Sequence, residues 1–313
     1  MLEELIEEYE AHREVPEKKQ KENAVASPIV QWVGGKRQLI SEYESYLPDD
    51  FDTYYEPFAG GAALLFHFWN KFGKSKNYYI SDMNKELITT YNEVARDYTE
   101  INRLVNLMHE RHTKEFYYAV RNIDRKEIGT RRYKKKFDIF DKLTDAEVAA
   151  RFLYLNRTCF NALYRVNGDN LFNVPIGKSL KKSLAMESAL SLAQPVFKAT
   201  TIKCGCYSGV ENLANSNDFV FFDPPYAPLT ATSSFTSYTK DGFDTKDQIA
   251  LRDLCKRLDK KGVRFALSNS NCELMRELYK DFDIKVFDVN RNLNSDKTKR
   301  KKSAQEIFVT NFT

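Results

Sequence analysis

The stretch Phe219-Val220-Phe221-Phe222-Asp223-Pro224-Pro225-Tyr226 decides the fold of this 313-residue chain. Its apolar part, residues 219–222, predicts a short strand buried on both faces, which is typical of a parallel sheet. Asp223 follows at the carboxyl end of that strand, where open α/β sheets bind ligands. The two prolines hold the following turn rigid because each fixes φ near about −65°. We therefore expect an α/β sheet with a functional carboxylate at its edge.

The residues after this strand are suited to holding a planar amine. Asp223 and the carbonyl oxygen of Pro224 can accept hydrogen bonds from an amino group, and the Tyr226 ring can stack on a flat base. The lone pair of an amino group on a nucleobase is delocalised into the ring, so the nitrogen is a weak nucleophile. Acceptors that draw this lone pair out of the ring plane favour methyl transfer to the nitrogen.

A glycine turn lies upstream in Tyr54-Tyr55-Glu56-Pro57-Phe58-Ala59-Gly60-Gly61, which predicts a strand followed by a helix over 62–72. The next strand, 78–80, leads to Asp82, which comes 21 positions after Gly61. An acid at about this distance holds ribose hydroxyls in nucleotide-binding sheets. The ligand could be a dinucleotide or S-adenosylmethionine. The turn lacks the GxGxxG pattern of pyrophosphate binding and so fits a ligand without phosphates better.

The order of the remaining patterns predicts two domains. Helices rich in charged and aromatic residues occupy about 84–194, the clearest being 145–157, and the sheet pattern then resumes. We expect a polar amino-terminal extension over 1–26, a sheet domain from 27–84 and 196–313, and an inserted, mainly helical domain over 85–195. Further sheet-domain elements are expected at 201–204, 245–258 and 263–269, with a hairpin of 284–289 and 306–310.

Composition favours a globular protein, with 42% hydrophobic and 29% charged residues. No apolar run approaches the roughly 20 residues of a membrane span, and residues 1–26 lack the apolar centre of a signal peptide. The five cysteines include no CxxC pair, so we expect reduced, buried thiols and no zinc cluster. The four histidines show no metal-binding spacing, and we interpret them as surface residues.

Two basic runs stand out against a net charge of only +4. Residues 131–136 and 297–302 each place five cations in six positions. Such runs suit a phosphate backbone. Taken alone, each run is equally well explained as a solvated surface loop.

From about Val30 to the carboxyl end, the chain resembles the Dam-type (D12) class of DNA adenine-N6 methyltransferases. The segments that carry the resemblance occur in the family's order: Trp32-Val33-Gly34-Gly35-Lys36, Glu56-Pro57-Phe58-Ala59-Gly60-Gly61, Ser81-Asp82-Met83-Asn84, Phe152-Leu153-Tyr154-Leu155-Asn156-Arg157, Phe172-Asn173-Val174-Pro175-Ile176-Gly177 and Asp223-Pro224-Pro225-Tyr226. The implied fold is a Rossmann-like methyltransferase sheet, with the inserted domain recognising the target sequence.

The resemblance implies S-adenosylmethionine as methyl donor and no metal. It assigns catalysis to Asp223, Pro224 and Tyr226, and cofactor binding to the following residues: Trp32, Lys36, Phe58, Gly60, Asp82 and Asp223. Trp32 can offer an aromatic wall, Lys36 a cation for the methionine carboxylate, and Asp82 an acceptor for the ribose.

The resemblance also implies that double-stranded DNA is the substrate and that the target adenine flips out of the helix. The expected DNA contacts are Gln31, Phe160, Asn161, Leu163, Arg165, Pro175, Lys299 and Arg300. Phe160 stands where relatives place an aromatic wedge, and Arg165 can make a bidentate contact to guanine. Packing below a loop is the rival explanation for Phe160 and Leu163, and a phosphate contact is the rival for Arg165.

Relatives that methylate GATC usually have a lysine before the Trp32 position, where this chain has Gln31. Glutamine pairs more naturally with adenine, so we expect the outer base pair to be read differently or less strictly. GATC stays the leading target, and a related sequence is the alternative. The expected protein is a cytoplasmic monomer, bacterial or phage-encoded, with a possible restriction endonuclease partner. Three rivals stay open: a protein-glutamine methyltransferase, whose tetrapeptide usually opens with Asn; a cytosine-N4 enzyme, whose tetrapeptide opens with Ser; and a silent DNA-binding regulator.

Overall fold

The computed structural model describes residues 1–12, 14, 24–32, 34, 36, 39–129, 132–178, 185–228, 243–289 and 304–312. The basic run 297–302, with the expected DNA contacts Lys299 and Arg300, lies outside the described residues. Of the run 131–136, only Arg131 lies outside them. Every helix in the described ranges is too short or too polar to cross a membrane.

Strands within these ranges form one large sheet and one separate hairpin. The strands are β1 (Thr53–Glu56), β2 (Asn77–Asp82), β3 (Arg125–Gly129), β4 (Arg132–Lys135), β5 (Thr200–Cys204), β6 (Phe219–Phe222), β7 (Arg264–Ser270), β8 (Asp283–Val289) and β9 (Ala304–Thr310). The large sheet has the order β5-β2-β1-β6-β7-β9-β8, while β3 and β4 pair only with each other. From β5 to β7 all neighbours are parallel, and β9 runs antiparallel to both β7 and β8.

This sheet confirms the expected Rossmann-like α/β fold. All four residues of β6 are buried, which explains their unbroken apolar run. The chain passes from β1 to β2 on one side, and β6 lies on the other side of β1. Ligands bind at such a switch point, beyond the carboxyl ends of the strands. The predicted terminal hairpin is confirmed as β8 and β9.

The helices pack on the sheet and build the helical lobe. They are α1 (Leu2–Glu7), α2 (Ile40–Tyr43), α3 (Ala63–Phe72), α4 (Lys85–Arg96), α5 (Thr99–Glu110), α6 (Lys114–Arg121), α7 (Asp145–Thr158), α8 (Glu187–Lys198), α9 (Thr245–Lys260) and α10 (Glu273–Leu278). The apolar spacing over 39–47 predicts a longer helix than α2, which passes into a 3₁₀ turn at Glu44–Tyr46.

Helix α7 is the centre of the lobe. It begins with a capping box, in which Thr144 accepts from the Glu147 amide and the Glu147 carboxylate accepts from the Thr144 amide. Nearly all of its residues are buried, including Arg151, whose guanidinium donates to the carbonyl oxygens of Val120 and Arg121. Glu147 also accepts from the Leu2 amide, which ties α1 to the lobe.

Two expectations about single residue types are wrong. His109 and His112 are buried rather than on the surface, and His112 Nδ1 lies 2.7 Å from the Tyr154 hydroxyl. The helices of the lobe enclose these rings, which pattern alone did not indicate. Conversely, Cys204 and Cys206 are exposed rather than buried, because they lie at the carboxyl end of the edge strand β5 and in the turn after it.

Candidate active site and DNA-reading loop

The glycine turn follows β1 and closes against Asp82 at the end of β2. The Asp82 carboxylate accepts from the amides of Gly60, at 3.0 Å, and Asn84, at 2.9 Å. Burial raises the pKa of Asp82, while these backbone hydrogen bonds lower it. The acid and the turn are therefore one rigid unit.

Gly60 is required at its position for two reasons. Its φ of +44° lies in the left-handed region, and a Cβ atom there would stand 2.7 Å from Cδ1 of Trp32. The other neighbour of Trp32 is Tyr164, whose ring stacks on it with centroids 5.5 Å apart. Trp32 thus packs between the glycine turn and a residue of the lobe.

Lys36 is almost fully buried, with 2% of its side chain exposed, and it faces the tetrapeptide 223–226. Its ammonium lies 2.7 Å from Oδ1 of Asp223, 2.9 Å from the carbonyl oxygen of Gly34 and 4.7 Å from the Tyr226 ring centroid. The sequence predicts that Lys36 binds the cofactor carboxylate. In the structure its ion-pair partner is Asp223, so it supplies the countercharge of that carboxylate.

The Asp223 side chain is oriented from a second side by Ser268 in β7, which donates to Oδ1 at 2.9 Å. Burial raises the pKa of Asp223, and Lys36 and Ser268 lower it. The two partners fix the position of the carboxylate and favour its charged form.

Tyr226 and Glu306 form a further contact of the site. The Tyr226 hydroxyl donates to Oε2 of Glu306 at 2.6 Å, which fixes one end of the ring. Glu306 is buried in β9, and its Oε2 lies 4.0 Å from the Lys36 ammonium. Because β9 is antiparallel to β7, its amino-terminal end meets the carboxyl end of β7. Sequence reasoning missed Glu306, which lies 80 positions after the end of the tetrapeptide.

A buried polar network holds the backbone that follows Asp223. Gln248 in α9 donates to the carbonyl oxygen of Pro225 at 2.9 Å, and its own Oε1 accepts from Asn269. Asn269 Oδ1 accepts from the Ala227 amide at 2.9 Å, and Ser270 donates to the Ala227 carbonyl oxygen at 2.6 Å. Polar residues at the end of a buried strand, Ser268-Asn269-Ser270, were the sequence signal that could have located this network.

Phe58, which precedes the glycine turn, packs in an aromatic cluster. Its ring stacks on Tyr207 with centroids 5.0 Å apart and meets Phe243 edge-on at 5.7 Å. Tyr207 follows β5 and Phe243 precedes α9, so segments far apart in sequence meet here. Neither Tyr207 nor Phe243 was among the expected site residues.

Five of the expected DNA contacts lie in one loop, residues 159–176, which we call the reading loop. Its two arms are joined by bridges between Cys159 and Ile176 and between Val166 and Phe172. Phe160 donates its amide to the carbonyl oxygen of Pro175 at 2.9 Å, which brings these two predicted contacts together. Asn161 has a φ of +55°, a conformation that asparagine tolerates well.

Arg165 is exposed and held by its own loop. Its Nε donates to Oδ1 of Asn173 at 2.8 Å, and its carbonyl oxygen accepts from the Asn173 amide at 3.0 Å. Leu163 is half-buried against the core, in keeping with the rival explanation of packing for this residue. Tyr164, which stacks on Trp32, lies directly between these two residues.

Gln31 is exposed and is fixed through its backbone by Asn156 of α7. The Asn156 side chain accepts from the Gln31 amide at 2.9 Å and donates to the Gln31 carbonyl oxygen at 2.8 Å. Helix α7 leads directly into the reading loop. The residue expected to read the first base pair is therefore attached to the same helix as the loop expected to read the others.

Residues 32–293, which include the glycine turn, the reading loop and the tetrapeptide, match the D12 class N6 adenine-specific DNA methyltransferase family. This chain belongs to that family. It is accordingly an adenine-specific DNA methyltransferase, and the suspected resemblance is confirmed.

Relatives within the family support the same assignment. The chain is 37% identical to the type II methyltransferase M1.LlaDCHI of Lactococcus lactis over 295 residues, which cover 94% of this chain and 98% of that protein. It is 37% identical to the type II methyltransferase M.MjaIII of Methanocaldococcus jannaschii over 302 residues, covering 91% and 99%. Over 279 residues it is 30% identical to the DNA adenine methylase of Escherichia coli K12, covering 88% and 91%.

Proposed function

We propose that the protein transfers a methyl group from S-adenosylmethionine to N6 of adenine in duplex DNA, with GATC as its target sequence. The observation that supports this best is the double fixation of Asp223, at 2.7 Å from Lys36 and 2.9 Å from Ser268. A charged acceptor is thereby held at the switch point of a sheet whose family acts on adenine N6. The proposal is tested by the base, position and context that the enzyme methylates.

The chemistry of the residues around the glycine turn fits S-adenosylmethionine. Asp82 offers a carboxylate at the end of β2, where a ribose is held in related sheets. Trp32 and Phe58 offer aromatic surfaces, and Gly60 allows close approach of the backbone. S-adenosylmethionine supplies an electrophilic methyl group on a sulfonium. Lys36 can serve the methionine carboxylate with one of its three donors while it keeps Asp223 as a partner.

In the proposed mechanism, Asp223 and the carbonyl oxygen of Pro224 accept the two amino hydrogens of the flipped adenine. Tyr226 stacks on the base, and Glu306 holds the hydroxyl of that ring. The bound donor would supply the methyl group: the N6–carbon bond would form as the sulfur–carbon bond breaks, the sulfur would leave as a neutral thioether, and the proton released from N6 would pass to the Asp223 carboxylate. Positioning and stabilisation of the positive charge that develops on N6 lower the barrier.

Recognition is assigned to the reading loop and Gln31. Phe160 is proposed to wedge into the base stack that the adenine leaves, and Arg165 to contact guanine with its guanidinium. Asn161, Leu163 and Pro175 line the same loop. Its attachment to α7 is what keeps these side chains together. Lys299 and Arg300, from the run at 297–302, are proposed to contact phosphates.

The choice of GATC depends on Gln31, because a lysine at this position is usual in relatives that read GATC. A related site with a different first base pair is the alternative. Expression in a host without DNA methylation, followed by sequencing that detects N6-methyladenine, tests both. Methylated adenine within GATC supports the proposal, whereas methylation confined to another context overturns the GATC part alone.

A catalytically silent regulator would show no methylation at all. Calorimetry with S-adenosylmethionine separates this case, since a silent protein that has lost the cofactor site would release no heat of binding. A restriction endonuclease encoded beside the gene would fit a protective role, in keeping with the type II relatives. We also propose that the enzyme is a monomer whose catalytic domain is 27–84 with 196–313 and whose recognition domain is 85–195.

A further inference from the structure

The hairpin of β3 and β4 carries an arrangement of charge that a free hairpin does not favour. Lys126 pairs directly with Lys134 across the ladder, and Arg125 pairs with Lys135. Like charges directly opposite one another destabilise a strand pair. Lys126 and Lys134 are exposed, and neither makes an ion pair with another residue that the structure describes. A two-stranded hairpin has little stability of its own to offset this repulsion.

Strand alternation concentrates the exposed cations. Lys136 follows β4 directly, and its amide donates to the Asp124 carbonyl oxygen, so the pairing continues to this residue. Lys134 and Lys136 are two positions apart and therefore lie on one face, about 7 Å from each other along the chain. Lys126 pairs with Lys134 and joins that face. Within β3 and β4 the one acid is Glu127, which pairs with Tyr133 instead, whereas Asp124, opposite Lys136 at the root, is buried and paired with Arg125 and Arg151. The face formed by Lys126, Lys134 and Lys136 therefore suits a polyanion.

The root of the hairpin is rigidly joined to the reading loop. The buried Arg125 guanidinium donates to the carbonyl oxygens of Phe172 and Arg121, each at 2.9 Å. Its Nε also donates to Asp124 at 3.0 Å. The Lys136 amide donates to the Asp124 carbonyl oxygen at 2.7 Å, which closes the root of the hairpin. Arg125 thus opens β3 and holds the second arm of the reading loop at the same time.

The hairpin also approaches the reading loop at a second place, through β4. Lys135 of β4 and Asn170, near the tip of the reading loop, line one cavity together with Tyr164. A duplex whose bases meet the reading loop therefore passes close to the hairpin. The phosphates of such a duplex then lie near the hairpin, and they carry the negative charge that its lysines can bind.

We propose that the β3–β4 hairpin is a phosphate clamp, in which Lys126, Lys134 and Lys136 bind the DNA backbone beside the recognised sequence. This rests on the proposed DNA recognition by the reading loop. The contacts are independent of sequence, because phosphates carry no base information. They set how tightly and at what salt concentration the enzyme holds DNA.

The test replaces all three lysines with glutamine in the full chain and measures DNA binding by fluorescence anisotropy against salt concentration. Each lost phosphate contact lowers the slope of log affinity against log salt by about 0.9. When all three contacts are lost, the fall in affinity between about 50 and 200 mM salt becomes about 40-fold smaller than the fall in the wild type. The loss at low salt is expected to be the same factor for a duplex with GATC and for one without it.

A matched control replaces three exposed lysines with glutamine: Lys74, Lys198 and Lys260. They precede β2, β5 and β7, at the amino ends of these strands and away from the site. The control makes the same change of charge and should leave the slope as in the wild type. An unchanged slope in the hairpin variant, with an unchanged melting temperature, overturns the clamp. A loss of affinity that is confined to the duplex with GATC also overturns the clamp. Wild-type protein that methylates no adenine refutes the proposed function instead.

Discussion

Asn156 holds both polar groups of the Gln31 backbone. Its Oδ1 accepts from the Gln31 amide at 2.9 Å, and its Nδ2 donates to the Gln31 carbonyl oxygen at 2.8 Å. The two residues are 125 positions apart, and Asn156 is buried. The exposed side chain of Gln31 therefore projects from a backbone whose position is set by helix α7.

Replacing Asn156 with aspartate is expected to reduce discrimination at the first base pair. The variant keeps the acceptor for the Gln31 amide but lacks the donor, so the Gln31 carbonyl oxygen loses its partner. Such a loss costs about 1–3 kcal/mol of stability. Rates of methylation on duplexes that differ only at the first base pair, together with thermal unfolding, measure both effects.

Asn311→Asp is the matched control for that variant. Asn311 also accepts from one backbone amide, that of Phe265, and donates to the carbonyl oxygen of Val263; its Nδ2 donates to the Asp259 carboxylate as well. Asn311 lies beside the amino end of β7, at the other ends of the strands from the site. The Asn311→Asp variant should therefore be less stable without a change in discrimination at the first base pair. Equal discrimination in the two variants would contradict the role assigned to Asn156.

Asp223→Asn is expected to lower methyl transfer by at least about 10²–10³-fold, because the acceptor that stabilises positive charge on N6 is lost. A tritiated-methyl assay measures the rate, and calorimetry checks that the cofactor still binds. Asp218→Asn, directly before the same strand, serves as control, since the Asp218 carboxylate accepts from the backbone amides of Thr53 and Asn215 at the other end of the strand from Asp223. Near-normal transfer in Asp223→Asn would remove Asp223 from the mechanism.

The acid side of the pH profile is expected to report the Asp223 carboxylate. The described groups that face it are Lys36, Ser268, Glu306, Tyr226, Glu56, Tyr43 and Tyr54. Burial raises the pKa of Asp223 above its usual range, so transfer should fall as pH drops through this raised pKa. The ionised form is the active one, and it is lost on the acid side.

Two variants should move this limb in opposite directions. Ser268→Ala removes a hydrogen bond to the charged form and raises the pKa of Asp223, so activity is lost at a higher pH. Glu306→Gln removes a neighbouring negative charge and lowers that pKa, so activity persists to a lower pH. Single-turnover rates across pH measure both shifts. If the acid limb moves in the same direction in both variants, the assignment of this limb to Asp223 is refuted.

Gln248→Glu is expected to slow transfer without weakening cofactor binding. The variant keeps the acceptor for Asn269 but loses the donor to the Pro225 carbonyl oxygen, so the tetrapeptide is less firmly held. A small displacement of reacting groups costs roughly ten- to a hundredfold in rate, and the unpaired buried group costs about 1–3 kcal/mol of stability.

The split between kcat and KM tests this role. Gln305→Glu at an exposed position is the control, since the Gln305 side chain bonds to Asn271 and Asp288 and, among the residues that the structure describes, not to the tetrapeptide. A rise in KM for S-adenosylmethionine at unchanged kcat would show that Gln248 acts on cofactor binding instead.

The sequence predicted those parts of the molecule that depend on local pattern. The apolar run before Asp223 could only be a buried strand, and the turn at Gly60 with Asp82 at the end of the next strand followed from spacing. The helical pattern over 145–157 likewise predicted α7. Motif order, through the family resemblance, supplied the reading loop.

What the sequence did not show is which side chains meet across the fold. Glu306 reaches Tyr226 only because β9 returns antiparallel beside β7, and no local pattern indicates that return. His112 is polar and lies in no apolar stripe, yet a bond to Tyr154 satisfies it inside the lobe. Lys36 fitted a cofactor contact by motif, whereas its pairing with Asp223 required the two segments to be placed together.

The position of Trp32 has a consequence for exchanging specificity between relatives. Its indole contacts both the turn at Gly60 and the Tyr164 ring, so it joins the part proposed to hold the methyl donor to the part proposed to read DNA. A chimera that grafts only a foreign inserted domain would pair a new Tyr164 surface with an old Trp32. Successful grafts should therefore transfer residues 31 and 32 together with the inserted domain from the same relative.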